Sequence, residues 1–330
     1  MKARLTLLGL ALPALLIVAG LLYENVAGWL ARRQYAAPGR LVSVGDHRLH
    51  LHCAGEGTPT VVLEAGAANA SLSWHKVQPE IAKITRVCSY DRAGHGWSDT
   101  GPRPRTPSAI AGELHVLLRN AGIPGPYVMV GHSMGGLYAR MFAARHREDV
   151  AALVLVDASH TDQAERLPAP LRGKQSQRKL HHRMMGAALG VPRLFGWEFC
   201  GGGAPPAVRA ALYATECGPR FYRTLKDEMG GDVGAPEWNA AALEVAALGP
   251  LGDLPLTVLT ADPERVIPGV PADVEPELRR ALRVDMQQSL AGLSTESRLT
   301  VAKDSGHMIP YDRADAIVDA VRPYLAGGDR

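Results

Sequence analysis

The chain has 330 residues, 46% of them apolar and 21% charged, which excludes a mainly disordered polymer. Lys and Arg number 36 against 33 Asp and Glu, and the resulting charge of +3 gives no sign of a phosphate-binding or nucleic-acid-binding surface. Lys2, Arg4, Arg32 and Arg33 against Glu24 account for that whole excess, so the rest of the chain is close to neutral.

The first element is apolar. Leu5 to Tyr23, LTLLGLALPALLIVAGLLY, runs nineteen residues without a charge. As a helix it spans about 28 Å, close to a bilayer core of ~30 Å. Lys2 and Arg4 precede it, as in a signal peptide or signal anchor. No small-x-small cleavage site follows directly; Ala-x-Ala-like options occur only near Ala36. Pro13 would kink but not forbid a membrane helix. Residues 1–35 therefore read as an anchor in the lipid bilayer with an exported body. A cleaved signal, leaving a secreted or periplasmic body, is the second reading, and a helix packed on the body of a soluble protein the third.

Residues 41–53, LVSVGDHRLHLHC, read as a hairpin around Gly45-Asp46. Short apolar strands follow: TVVLEA (60–65), RVCSY (86–90), YVMVG (127–131), ALVLVD (152–157), LTVLTA (256–261) and RLTVA (298–302). Several are apolar throughout, as in strands buried on both faces. Helical stretches separate them at 74–84, 107–121, 134–145, 277–290 and 314–325, with Ser108 and Asp312 as caps near two of the starts. This alternation predicts an α/β fold with a mostly parallel sheet covered by helices on both faces. Residues 36–159 and 251–330 form this core. Residues 160–250 contain no good strand and hold charged helical segments, the patch GGGAPP (201–206), and Phe195, Trp197, Phe199, Tyr213, Phe221, Tyr222 and Trp238. They predict a helical cap over the sheet's C-terminal edge, where open α/β sheets bind ligands. Four cysteines do not make a disulfide scaffold. Cys53 and Cys88 fall on neighbouring strands and Cys200 and Cys217 within the insertion, so two local pairs and four free thiols both remain open. No cysteine has metal-ligand spacing.

The sharpest signal is Gly131-His132-Ser133-Met134-Gly135 between a buried strand and a helix. The two glycines permit a tight turn that projects the Ser133 hydroxyl over the sheet edge, the posture of a nucleophile. Ser305-Gly306-His307 follows the last strand, and His307 alone among twelve histidines sits on a loop at that edge, placed to take the serine proton. The side chain of His132 is expected to point elsewhere. An acid must hold the other imidazole nitrogen, and Asp157, Asp262 and Glu264 all follow strands at the right edge. For a developing oxyanion, the backbone N–H of Met134 and that of Ala67, in the loop Gly66-Ala67-Ala68-Asn69, are the candidate donors. There is no H-E-x-x-H metal motif and no nucleotide loop of the G-x-x-x-x-G-K type, so neither a metal nor another cofactor is expected.

Over residues 41–326 the chain resembles the α/β-hydrolase superfamily, in its serine esterase and lipase-like branch with a helical cap. The matching pieces are VVLEAG (61–66), Trp74, YDRAGHGWSD (90–99), GHSMGG (131–136), LVLVDASH (153–160) and SGHMIP (305–310). The 90–99 stretch looks like the one that lines the pocket base. Many relatives carry the acid after the strand preceding the histidine strand, in a G-x-x-D-like turn; here TADPERVIP (260–268) lacks the glycine. Others, some haloalkane dehalogenases among them, take it from the end of the sixth strand, which corresponds to Asp157. The chain is similar to a bacterial subgroup with a VLVDASH-like segment, which favours Asp157, with Asp262 and Glu264 as alternatives. A serine at position 133 departs from the aspartate nucleophile of epoxide hydrolases and haloalkane dehalogenases and argues against those activities. The resemblance implies acyl transfer to water, most simply hydrolysis of small to medium apolar esters through an acyl-enzyme. Amide, peptide, lactone or carbon–carbon hydrolysis on the same residues is the alternative, with perhydrolysis as a side activity. A catalytically dead, membrane-tethered binding module is the reading outside enzymology.

Overall fold

The computed structural model describes residues 2–168, 175–196, 204–229 and 239–325. Eight strands form one sheet in the order β1-β2-β4-β3-β5-β6-β7-β8. They are β1 (Arg40–Ser43), β2 (Arg48–Ala54), β3 (Thr60–Glu64), β4 (Val87–Tyr90), β5 (Tyr127–His132), β6 (Val150–Val156), β7 (Leu256–Ala261) and β8 (Ser297–Ala302). The β1–β2 hairpin and the β2–β4 pair are antiparallel; every other pairing is parallel.

The period of two along each strand divides the core. Met129, Leu153 and Leu155 join one cluster with Leu114, Leu117, Leu137 and Phe142. Their sequence neighbours Val128, Val130, Val154 and Val156 join a second cluster with Trp74, Ile81, Ile317 and Val321. Strands buried on both faces can therefore be apolar at every position. Emptying one such side chain, Leu117 or Leu153 to alanine, costs about 2–5 kcal/mol.

Helices Pro107–Ala121 and Gly135–Arg145 cover one face, and Ala314–Val321 lies on the other. Three details differ from the sequence reading. The cap of the first helix is Thr106, whose hydroxyl accepts from the Ala109 amide at 3.2 Å, not Ser108. Asp312 does not cap the last helix, because its carboxylate accepts the Gly306 amide at 2.9 Å instead. The stretches at 74–84 and 277–290 break into short turns, the latter as Glu275–Arg280, a π-helical turn Ala281–Asp285, and Met286–Ala291.

Between β6 and β7 the described residues hold no strand. They form helices Gln163–Arg166, Gln175–Ala188, Val191–Phe195, Pro206–Glu216, Pro219–Glu228 and Asn239–Ala246. The chain thus has the α/β-hydrolase architecture: a mostly parallel sheet flanked by helices, with a helical cap inserted. Trp197, Phe199, Cys200, Gly201 to Gly203 and Trp238 lie outside the described residues. Cys53 and Cys88 stand opposite each other on β2 and β4 and are joined by a disulfide. Cys217 is disulfide-bonded as well. An N-terminal helix spans Lys2–Gln34. Its part Ala11–Gln34 is long and apolar enough to cross a membrane, with 11% of the apolar window buried.

Candidate active site

The site begins with backbone crowding at the end of β5. A Cβ on Gly131 would lie 2.6 Å from the Gly135 carbonyl oxygen, and one on Gly135 would lie 2.4 Å from that of Glu64. Only glycine lets the strand turn this sharply into the helix Gly135–Arg145. Between them Ser133 is held at φ 53°, a left-handed conformation that costs a non-glycine residue energy and is kept by its surroundings. Its amide donates to the Val156 carbonyl at 3.1 Å, and its own carbonyl accepts the Gly136 and Ser159 amides at 3.0 Å. Its hydroxyl therefore has a fixed origin at the C-terminal edge of the sheet.

His307 reaches that hydroxyl from the loop after β8. Its Nε2 lies 3.0 Å from Ser133 Oγ, and its Nδ1 lies 2.6 Å from Asp157 Oδ2. Asp157 leaves the end of β6 at φ 40°, a second strained position, and its Oδ1 accepts the Ala261 amide at 3.0 Å. Burial pushes the Asp157 carboxyl up, but the His307 hydrogen bond and charge and the Ala261 amide outweigh it and hold the group below its ordinary value. It is thus an anion facing the Nδ1 side of the imidazole. The imidazole itself is half-exposed, open to an incoming molecule.

The other two acids are elsewhere. Asp262 accepts the Glu264 amide at 2.9 Å and the Asp304 amide at 2.8 Å, and these bonds hold its carboxyl below the ordinary range. It ties the β7 and β8 loops together, upstream of His307. Glu264 is exposed and contributes its backbone amide to Asp262.

The loop after β3 closes on Ser133 from the other side. A Cβ on Gly66 would be 3.1 Å from Ser133 Cβ. Among the described residues, neither the Ala67 nor the Met134 amide donates to a protein group. Buried Arg92 anchors this loop, donating to the carbonyls of Ala65 at 2.7 Å and Gly66 at 2.9 Å. It also pairs with Glu64 on β3 at 2.7 Å and with Glu228 of the cap at 2.9 Å. Burial pushes Glu64 up to about 7 despite Arg92, whereas the Arg92 and His95 charges outweigh burial at Glu228 and hold that carboxyl well below its ordinary value.

Two of these functions were not read from the sequence. Arg92 lies in a recognised motif, yet its partner Glu228 is 136 residues away, and nothing local signals the pair. His132, beside the nucleophile, is held by the loop it faces: its Nε2 lies 2.8 Å from the His307 carbonyl oxygen and its ring packs edge-on to Trp74. Burial and the adjacent His307 pull it down to about 3, so it is neutral and braces the His307 loop.

Two other features do not belong to the site. A cleft of about 310 Å³ lined by Leu256, Ser297, Arg298 and Tyr324 lies at the opposite end of β7 and β8. His115, His146 and Asp149 bring ligand atoms within 4.8 Å of one another. The two imidazoles, however, stack 3.9 Å apart with planes 5° from parallel. A bound ion lies in the plane of each ring, and parallel planes do not meet.

Comparison with known proteins agrees with the architecture. A family model described as the alpha/beta hydrolase fold matches residues 59–180. An uncharacterised protein of Schizosaccharomyces pombe is 29% identical over 256 residues, covering 68% of this chain and 46% of that protein. Lipase LipV of Mycobacterium tuberculosis is 38% identical over 110 residues, 33% of this chain and 41% of the lipase. The alignments span less than half the length of the first curated relatives. A solved structure described as an epoxide hydrolase of Pseudomonas aeruginosa superposes with a TM-score of 0.66 at 19% identity, covering 87% of this chain and 95% of that one. At that identity the likeness speaks for the fold alone. The chain carries the α/β-hydrolase fold with a helical cap.

Proposed function

We propose that the protein is a serine hydrolase that cleaves carboxylic esters through an acyl-enzyme. The observation that carries this reading is the continuous hydrogen-bonded line from Ser133 Oγ to His307 Nε2 and from His307 Nδ1 to Asp157. In this mechanism His307 removes the hydroxyl proton as Ser133 attacks the ester carbonyl. The amides of Ala67 and Met134 receive the oxyanion. His307 then protonates the leaving alcohol, and water repeats the sequence to release the acid. Asp157 stabilises the imidazolium that forms between these steps. No metal or other cofactor enters this scheme.

The likeness to an epoxide hydrolase does not extend this reading to epoxides, because position 133 is a serine and not the carboxylate that such an opening requires. Amide, peptide, lactone and carbon–carbon bonds remain the second reading, since each passes through the same tetrahedral oxyanion. The N-terminal helix is read as a bilayer anchor for an exported body, in keeping with the Cys53–Cys88 disulfide. Residues 1–35, the two core segments 36–159 and 251–330, and the cap 160–250 are its proposed divisions.

A fluorophosphonate probe tests the nucleophile. Wild type should label and Ser133→Ala should not, and a folded wild type that stays unlabelled would end the proposal. A panel of chromogenic esters, peptides, lactones and β-diketones then separates the bonds.

A further inference from the structure

The N-terminal helix has two dissimilar halves. Leu12, Leu15, Leu16, Ile17 and Val18 are exposed all around the first. From Gly20 onward one face is packed on the cap. A Cβ on Gly20 would lie 2.9 Å from the Leu189 carbonyl oxygen, and one on Gly190 would lie 2.6 Å from the Tyr23 ring. One turn on, Glu24 pairs with Arg193 at 2.8 Å, with only 6% and 3% of these side chains exposed. After another turn, a Cβ on Gly28 would be 3.2 Å from both Glu24 Oε1 and Arg193 Nη2. Positions 20, 24 and 28 share one helical face, and the two glycines let the cap close around a charge pair. Tyr35, just past the helix, accepts a hydrogen bond from the Trp97 indole at 3.0 Å.

A leader peptide that is cut away has no need of a buried carboxylate matched to an arginine 169 residues later. Its removal would strip Arg193 of the counter-charge it is buried against. The first half, Lys2 to Ala19, rises about 27 Å at 1.5 Å per residue, against a bilayer core of ~30 Å. The docked half continues the same helix, so the cap meets the bilayer where the first half ends. The cap elements touching it also carry Met185 and Leu194, both exposed.

The same pair also seats a cap helix. Glu24 Oε1 lies against Gly218, where a Cβ would be 3.1 Å away, at the start of helix Pro219–Glu228. The far end of that helix presents Glu228 to Arg92, which holds the Ala65 and Gly66 carbonyls beside Ser133.

We propose that the N-terminal helix stays on the protein as part of the cap, crosses a lipid bilayer through its first half, and through Glu24–Arg193 holds the cap at the membrane surface. The site then draws long-chain, membrane-partitioned esters from the lipid phase. This substrate class rests on the ester-hydrolase reading; the docking of the helix does not.

The full chain in phosphatidylcholine vesicles tests it. The mature protein should retain residues 2–34 by mass, and a mature chain beginning after Gln34 overturns the proposal. Two substrates are compared: p-nitrophenyl palmitate dissolved in the vesicles and water-soluble p-nitrophenyl acetate. Glu24→Ala should lose tenfold or more on the palmitate and stay within twofold on the acetate. The swap Glu24→Arg with Arg193→Glu should regain most of the loss. Gly20→Leu, which disturbs no charge, should reproduce the Glu24→Ala pattern. Equal effects on both esters, or none on either, refute membrane delivery. Hydrogen exchange of Leu189 to Phe195 in vesicles reads the docking without turnover: it should be at least tenfold slower in wild type than in Glu24→Ala. If wild type cleaves neither ester and stays unlabelled by a fluorophosphonate, the hydrolase reading and its substrate fail. Equal exchange in the two proteins overturns the docking itself.

Discussion

Replacing Asp157 by asparagine tests the proposed mechanism most directly, because it changes a charge and a proton position without changing shape. Oδ1 of Asp157 accepts the Ala261 amide at 3.0 Å and Oδ2 faces His307 Nδ1 at 2.6 Å. An asparagine that keeps the first bond must turn its NH₂ toward His307. Nδ1 then becomes an acceptor and the ring proton moves to Nε2, the nitrogen 3.0 Å from Ser133 Oγ. A protonated Nε2 cannot take the serine proton. Wrong-tautomer substitutions of this kind lower kcat by about 10⁴, or roughly 5.5 kcal/mol of transition-state stabilisation. The assay is steady-state hydrolysis of a p-nitrophenyl ester between pH 6 and 10 (roughly, the span over which an imidazole and its competitors titrate), with circular dichroism as the check on folding. Asp262→Asn is the control: its oxygens receive backbone amides, so a loss of less than about tenfold is expected from loop loosening. A folded Asp157→Asn within tenfold of wild type, beside an Asp262→Asn that loses thousands, would refute the reasoning.

Three further outcomes follow from the same geometry. Gly135→Ala drives a methyl group to 2.4 Å from the Glu64 carbonyl oxygen, so unfolding should become easier by about 1–3 kcal/mol or more and fluorophosphonate labelling should slow; unchanged denaturation and labelling would contradict the crowding at the turn. Cys53→Ala with Cys88→Ala opens a 35-residue closure, for which chain entropy gives at most about 4 kcal/mol, so Tm should fall by several degrees and reductant should have no further effect through this pair. Asp157 and Glu228 both have folded-state values below their ordinary ones. Near pH ~4 the unfolded chain then binds more protons than the native state, so their stabilisation is present above the unfolded-state values and is lost as pH falls through the lower folded-state values. Glu64, raised to about 7, has the opposite sign over this range, so the readout is the difference between wild type and Glu228→Gln: the wild-type advantage in urea midpoint should shrink on going from about pH 6 to pH 4, and an advantage that grows on acidification would show the sign to be wrong.

The local pattern of the chain was enough to establish the strands and the turn, but not the helices at 74–84 and 277–290, which break into short turns. Apolar strands such as Thr60–Glu64 and Leu256–Ala261 are legible because burial on both faces removes every polar position. The helix Pro107–Ala121 is bounded by local signals: a proline at its start and a glycine at φ 72° at its end. The serine turn is legible because two glycines four residues apart mark where backbones come too close for a side chain. Long-range choices were not available in the same way. Three carboxylates follow strands at one edge; which of them reaches His307 depends on the β6–β7 register and on the left-handed backbone at Asp157, neither of which leaves a local trace. The Arg92–Glu228 and Glu24–Arg193 pairs join residues 136 and 169 positions apart. A charge in a sequence does not declare whether it will be solvated or buried; only the packing of the cap decides, because only there does losing water force each charge to find its partner.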